Sequence, residues 1–122
     1  MRDYQKLDVW KKAHLFTLQV YKEILPIMPN EEKFALTQQI RRATYSIPLN
    51  IVEGSGKNTD KDFTSYLDNA LCSAKEVEYA FILIRDLNYI NENLYAMVNK
   101  SINEIKAMLI AFIKFLRGGG NG

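Results

Sequence analysis

The sequence is nearly empty of the residues on which bound metals and disulfides depend. Cys72 is its one cysteine and His14 its one histidine. A single cysteine excludes an intrachain disulfide and points to a reducing compartment. Zinc held by Cys and His ligands fails on the same count. A di-iron carboxylate site in a helical bundle needs two Glu-x-x-His pairs, and no Glu stands three residues before His14. No metal and no cofactor are therefore expected. No apolar run approaches the roughly 18 residues that span a bilayer, so no membrane partner is expected. The opening Met1-Arg2-Asp3-Tyr4-Gln5-Lys6 has no apolar core of a signal peptide. A cytoplasmic location follows as the expectation.

Other signals are missing too. There is no internal repeat and no strand-like alternation of apolar and polar residues. Gly54-Ser55-Gly56-Lys57 has neither the preceding strand nor the spacing of a phosphate loop. Ser46 and Cys72 are the candidate nucleophiles, and nucleophilic catalysis needs a positioned base. On the helix of Ser46 that base would have to be Glu53, two turns away; Glu76 and Glu78 are the alternatives from another helix. An enzyme is not expected. The formal net charge is only +2, too small for a global pull on nucleic acid. The balance is uneven, however: up to Lys61 there are ten Lys and Arg against seven Asp and Glu, enough for a local basic face.

What is present reads as helix throughout. With 48% hydrophobic and 25% charged residues, the chain has an ordinary globular composition and the length of one domain. Residues 1–117 form that domain, and residues 118–122 (Gly118-Gly119-Gly120-Asn121-Gly122) read as a flexible tail. Asp8 is positioned to cap a first helix, Val9 to Leu25, with Val9, Ala13, Phe16, Val20 and Ile24 on its inner stripe. Asn30 is positioned to cap a second, ending at Gly54 as a C-terminal glycine. Thr59, with Asp62 three residues on, begins a third, and Asn91 caps a fourth. Four helices with short connections predict an all-α, antiparallel up-down-up-down four-helix bundle.

The second helix carries the most unusual pattern. Leu36, Ile40, Ala43, Ile47 and Ile51 recur at helical steps, and a polar stripe of Gln39, Arg42, Ser46, Asn50 and Glu53 runs beside them. Pro48 falls inside this helix, where it removes a backbone bond and frees the Thr44 carbonyl. Ser and Asn are poor residues for a helix interior, so Gln39, Ser46, Asn50 and Glu53 are expected to contact a neighbouring helix or a second subunit. Arg41 and Arg42, about 100° apart around the helix, join Lys11, Lys12, Lys33 and Lys57 as candidates for phosphate contacts without sequence readout. Leu15, Leu18, Ile110 and Ile113 lie off the main core stripes and are the candidate oligomer contacts, with Tyr79 and Ile82 as further off-stripe apolar residues.

The run Leu36-Thr37, Gln39, Arg42-Ala43, Ser46-Ile47-Pro48, Asn50-Ile51, Glu53-Gly54 resembles the signature of the 23S rRNA-intervening-sequence family of four-helix bundles. That family is related to the accessory variability determinant of diversity-generating retroelements. The resemblance extends to Leu7-Asp8-Val9-Trp10, Ala13, Tyr21 and Pro29, and to Phe63, Leu67, Ala70, Ser73 and Glu76. It implies homopentamers, and for the retroelement relative, contacts with nucleic acid and a reverse transcriptase. Where many relatives have Arg-Gly before the serine of the third helix, this chain has Leu71-Cys72-Ser73. The expectation is a non-enzymatic protein that self-assembles, as a pentameric ring on the resemblance, and binds RNA or DNA through a basic surface. The alternative is a protein-protein adaptor that binds no nucleic acid.

Overall fold

Apolar side chains at three- and four-residue steps occupy four segments, and each of the four folds as a helix. A computed structural model describes residues 2–118 and contains no strand among them. Helix α1 spans Asp8–Gln19, α2 Leu36–Ser55, α3 Asp60–Asp86 and α4 Glu92–Gly118. Each helix packs chiefly on two others, α1 on α2 and α4, and α3 on α2 and α4. The contacts run in opposite directions along neighbours. Gln39 meets Glu76 and Ser46 meets Ser73; Asp68 meets Arg117 and Glu78 meets Lys106; Lys12 of α1 meets Glu104 of α4. The result is an antiparallel four-helix bundle. Its core is one cluster that includes Phe16, Ile47, Phe81 and Leu109. Phe16 and Phe81 meet edge to face at 6.0 Å between centroids.

Local chemistry explains most helix ends. The Thr59 hydroxyl accepts from the Asp62 amide at 3.1 Å, and the Asn91 side chain accepts from the Leu94 amide at 2.8 Å, as sequence suggests. Asp8 is not a cap. The N-cap position falls on Leu7, and Asp8 is instead an acid in the first turn, where the macrodipole favours it. After Gln19 the helix widens into a π turn, Val20–Ile24, and then tightens into a single turn at Leu25–Ile27 that contains Pro26. Asn88 closes α3 in the left-handed region, φ 63°, which asparagine tolerates better than most residues.

Two boundaries differ from expectation. Asn30 opens only one short turn, Asn30–Glu32, and α2 begins at Leu36 after a bend at Ala35 (φ −125°, ψ −101°). Glu32 is used elsewhere: the Tyr89 hydroxyl donates to its carboxylate at 3.0 Å and ties this connection to the α3–α4 turn. That bond holds the Tyr89 phenol above its ordinary pKa. At the other end of the chain, Gly118 is the last residue of α4; the rest of the expected tail, residues 119–122, lies outside the described residues.

Gly54 does not end α2 as a left-handed cap. The helix runs on to Ser55, and what glycine supplies is room. A Cβ at this position would stand 2.7 Å from the Tyr66 Cβ, 2.8 Å from the Phe63 ring and 3.2 Å from the Phe63 carbonyl. None of these is the free end of a flexible side chain, so α2 and α3 would have to separate. Gly54→Ala at an open helical site would gain about 1 kcal/mol of propensity. Here the steric term dominates, and the variant is expected to lose about 1–3 kcal/mol. Denaturant unfolding measures this directly; an unchanged or raised midpoint would show that the close approach is not needed.

Candidate functional site

Ser46 and Asn50 stay in a helix because each finds a partner one turn back. The Ser46 hydroxyl donates to the Ala43 carbonyl at 3.0 Å, and the Asn50 amide donates to the Ser46 carbonyl at 2.8 Å. The same hydroxyl also meets the Ser73 hydroxyl across the α2–α3 seam. Two turns toward the start of α2 from Ser46, the Gln39 amide donates to the Glu76 carboxylate. Of the stripe, Gln39 and Ser46 thus bind α3 of the same chain, Asn50 binds its own helix, and the exposed Glu53 makes no side-chain hydrogen bond among the described residues.

Around these pairs lies a shallow groove of about 260 Å³, lined by Gln39, Arg42, Tyr45, Ser46, Ser73 and Glu76. It shares Gln39 and Arg42 with a second depression of about 580 Å³ nearer the start of α2, where Phe34, Leu83 and Leu87 form the apolar walls. Arg42 is exposed between the two and has no ion pair among the described residues. Its neighbour Arg41 is half-buried. Thr44 is fully buried on the core side of α2, with its hydroxyl unpartnered.

The candidate cations do not form one patch. Lys33 lies over the Phe34 ring at 5.3 Å, near the start of α2. Lys57 lies over the Tyr66 ring at 5.2 Å, past its end. Fifteen residues separate Arg42 from Lys57, which is about 22 Å of helix rise. Lys11 is exposed. Lys12 is already engaged, 2.8 Å from Glu104, and is the weakest of the set for a phosphate contact. His14 stacks on Trp10 at 5.0 Å.

The apolar candidates also divide. Leu15 is 65% exposed, Leu18 38% and Ile110 40%. Ile113 is buried in the core, at 6% exposure, and is no surface contact: it falls four residues after Leu109, on the same helical face. The residue that periodicity missed is Phe34, 84% exposed. Assigning it to the first turns of a longer α2 hid it, and the bend at Ala35 is what turns it outward.

A match to a family model covers residues 5–111. The model describes the 23S rRNA-intervening sequence protein family. The chain belongs to that family. Six chains of known structure are similar to it. One is the 1.70 Å crystal structure of a protein of unknown function from the S23 ribosomal protein family of Bacteroides thetaiotaomicron VPI-5482. It is 33% identical, with a TM-score of 0.81 over 87% of this chain and 98% of that one. No protein of curated function matches. In this family member the signature string has a physical reading. Gln39 and Ser46 bond α3, Asn50 satisfies a carbonyl in its own helix, and Gly54 admits the α3 backbone.

The Lys12–Glu104 pair gives a pH signature. Hydrogen bonding from Lys12, followed by charge attraction to Lys12 and Lys100, holds the Glu104 carboxyl below its ordinary value. The stabilisation is therefore full above the unfolded-state pKa and is lost as pH falls through the lower folded-state value. A carbon-13 NMR titration should place Glu104 below a free glutamate, and Lys12→Ala should return it upward. An unshifted Glu104 in the parent protein would remove the pair from the account.

Proposed function

We propose that the protein is a non-enzymatic bundle that self-associates into a closed ring, pentameric as in the relatives it resembles, and binds RNA or DNA through phosphate contacts. The observation that carries this reading is the state of the arginines on α2. Arg42 is exposed without a carboxylate partner, and Arg41 stands beside it in a helix with only one acid, Glu53. A guanidinium left without an intrachain partner is suited to an external anion. Lys11, Lys33 and Lys57 add exposed or partly exposed positive charge. The groups nearest the groove support a binding role over catalysis: the Ser46 hydroxyl is held between the Ala43 carbonyl and Ser73, and Glu76 is occupied by Gln39. Self-association is supported by large apolar side chains left in solvent, which soluble monomers seldom gather in contiguous patches.

Two measurements test it. Light scattering should give a mass several times 14.1 kDa, and a single 14.1 kDa species at micromolar concentration would end the ring reading. Fluorescence anisotropy with single- and double-stranded RNA and DNA should show binding that weakens steeply with salt. Arg41→Ala with Arg42→Ala should reduce the slope of log affinity against log salt by about one per lost phosphate contact. Absence of binding at low salt would remove nucleic acid and leave a protein-protein adaptor as the function.

A further inference from the structure

Resting on the nucleic-acid reading, we propose that the site around Arg42 takes a single strand with unpaired bases. One base occupies the depression at the start of α2, its phosphate lies on Arg42, and the next base lies on Tyr45. Arg42 is common to the two recesses. It lines the depression of about 580 Å³ together with Phe34, Gln38, Leu83 and Leu87. It also lines the groove of about 260 Å³ beside Tyr45 and Ser46. A guanidinium between two recesses can hold one phosphate while the nucleotides on either side turn their bases inward.

The larger depression has the chemistry that a base needs. Its walls are apolar, and the bend at Ala35 leaves the Phe34 ring among them turned to solvent. Every base has a flat π face, so stacking on an aromatic ring tolerates any sequence. Gln38 is exposed on the same wall, and its amide can both donate to and accept from a base edge. In the smaller groove Tyr45 follows Arg42 by three residues, which places it on the adjacent turn. It is 39% exposed.

Charge fits a strand. Two carboxylates border the recesses, and both are engaged: Glu32 accepts from the Tyr89 hydroxyl and Glu76 from the Gln39 amide. Lys33 and Arg42 have no ion pair among the described residues. Lys33 lies 5.3 Å over the Phe34 ring, ahead of α2, and Arg42 stands six residues into the helix, about 9 Å of rise from Leu36. The depression therefore has a cation at each end. A nucleotide inside a strand has a phosphate on each side, which matches that spacing of charge. A duplex does not use these recesses. Its bases are paired and stacked on one another, so only its phosphates reach Arg42, and Phe34, Leu83 and Tyr45 stay in water. Bases that are splayed out of a strand can cover them.

Fluorescence anisotropy tests the site, with one labelled oligonucleotide used alone and annealed to its complement. At equal salt the single strand should bind about tenfold or more tightly than the duplex. Phe34→Ala and Tyr45→Ala, both at exposed positions, should keep native helicity and each weaken single-strand binding about tenfold. That loss should be the same at every salt concentration, and duplex binding should not change. Tyr45→Phe, which keeps the ring, should bind like the parent. Arg42→Ala should instead lower the slope of log affinity against log salt, by about 0.7 for one phosphate of a single strand. Equal affinity for duplex and single strand would overturn the single-strand site and leave simple phosphate contact in its place. Aromatic variants that bind the single strand as the parent does would overturn it too. A parent protein that binds neither form at low salt overturns the nucleic-acid reading, and this site with it.

Discussion

Everything on the α2–α3 side of the bundle follows from how near the two helices come at Gly54. A missing Cβ lets the α2 backbone settle against Tyr66 and Phe63, and that contact fixes the separation at one end of the seam. Further along, Ser46 meets Ser73, and the buried residues within a turn of them, Ala43, Ala70 and Ala74, are small. Only across such a narrow gap can two serine hydroxyls touch. The other seams are built from larger side chains, such as Phe63 against Phe112 at 5.4 Å. The α2–α3 seam is thus the one set by a missing side chain and a hydroxyl pair, whereas ion pairs bridge α3 to α4 and α1 to α4.

This bears on what family resemblance reports. The signature string concentrates on the tight seam, with Gln39, Ser46 and Gly54 each committed to α3 within the chain. These residues specify architecture. Arg42, Tyr79 and Phe34 stay exposed, and of these only Arg42 belongs to the string. Membership is thus strong information about shape and weak information about ligand.

What was legible in the sequence was what local rules decide. Four helices, the Thr59 and Asn91 caps and the inner stripes depend on neighbours within one turn or on simple periodicity. What was hidden depends on partners far along the chain. Nothing near Asn30 tells that Tyr89 will claim Glu32, so α2 began late and Phe34 passed for a helical residue. Gly54 sits where a terminal glycine belongs, and only the position of Phe63 and Tyr66 reveals its other use. Lys12 seemed a free cation until Glu104, on a helix remote in sequence, was set beside it. Ile113 is a plain lapse of phase, since its four-residue step from Leu109 was readable.

The N-terminal segment links the two ends of the tight seam's turn. The Arg2 amide bonds the Ser55 carbonyl, and its guanidinium reaches the Lys57 carbonyl, 55 residues away, while lying 4.5 Å above the Phe63 ring. With the bundle formed, only the short segment ahead of α1 remains to be ordered, and these contacts offset that entropic cost. The α2–α3 turn is in effect latched from outside, by a segment that belongs to neither helix.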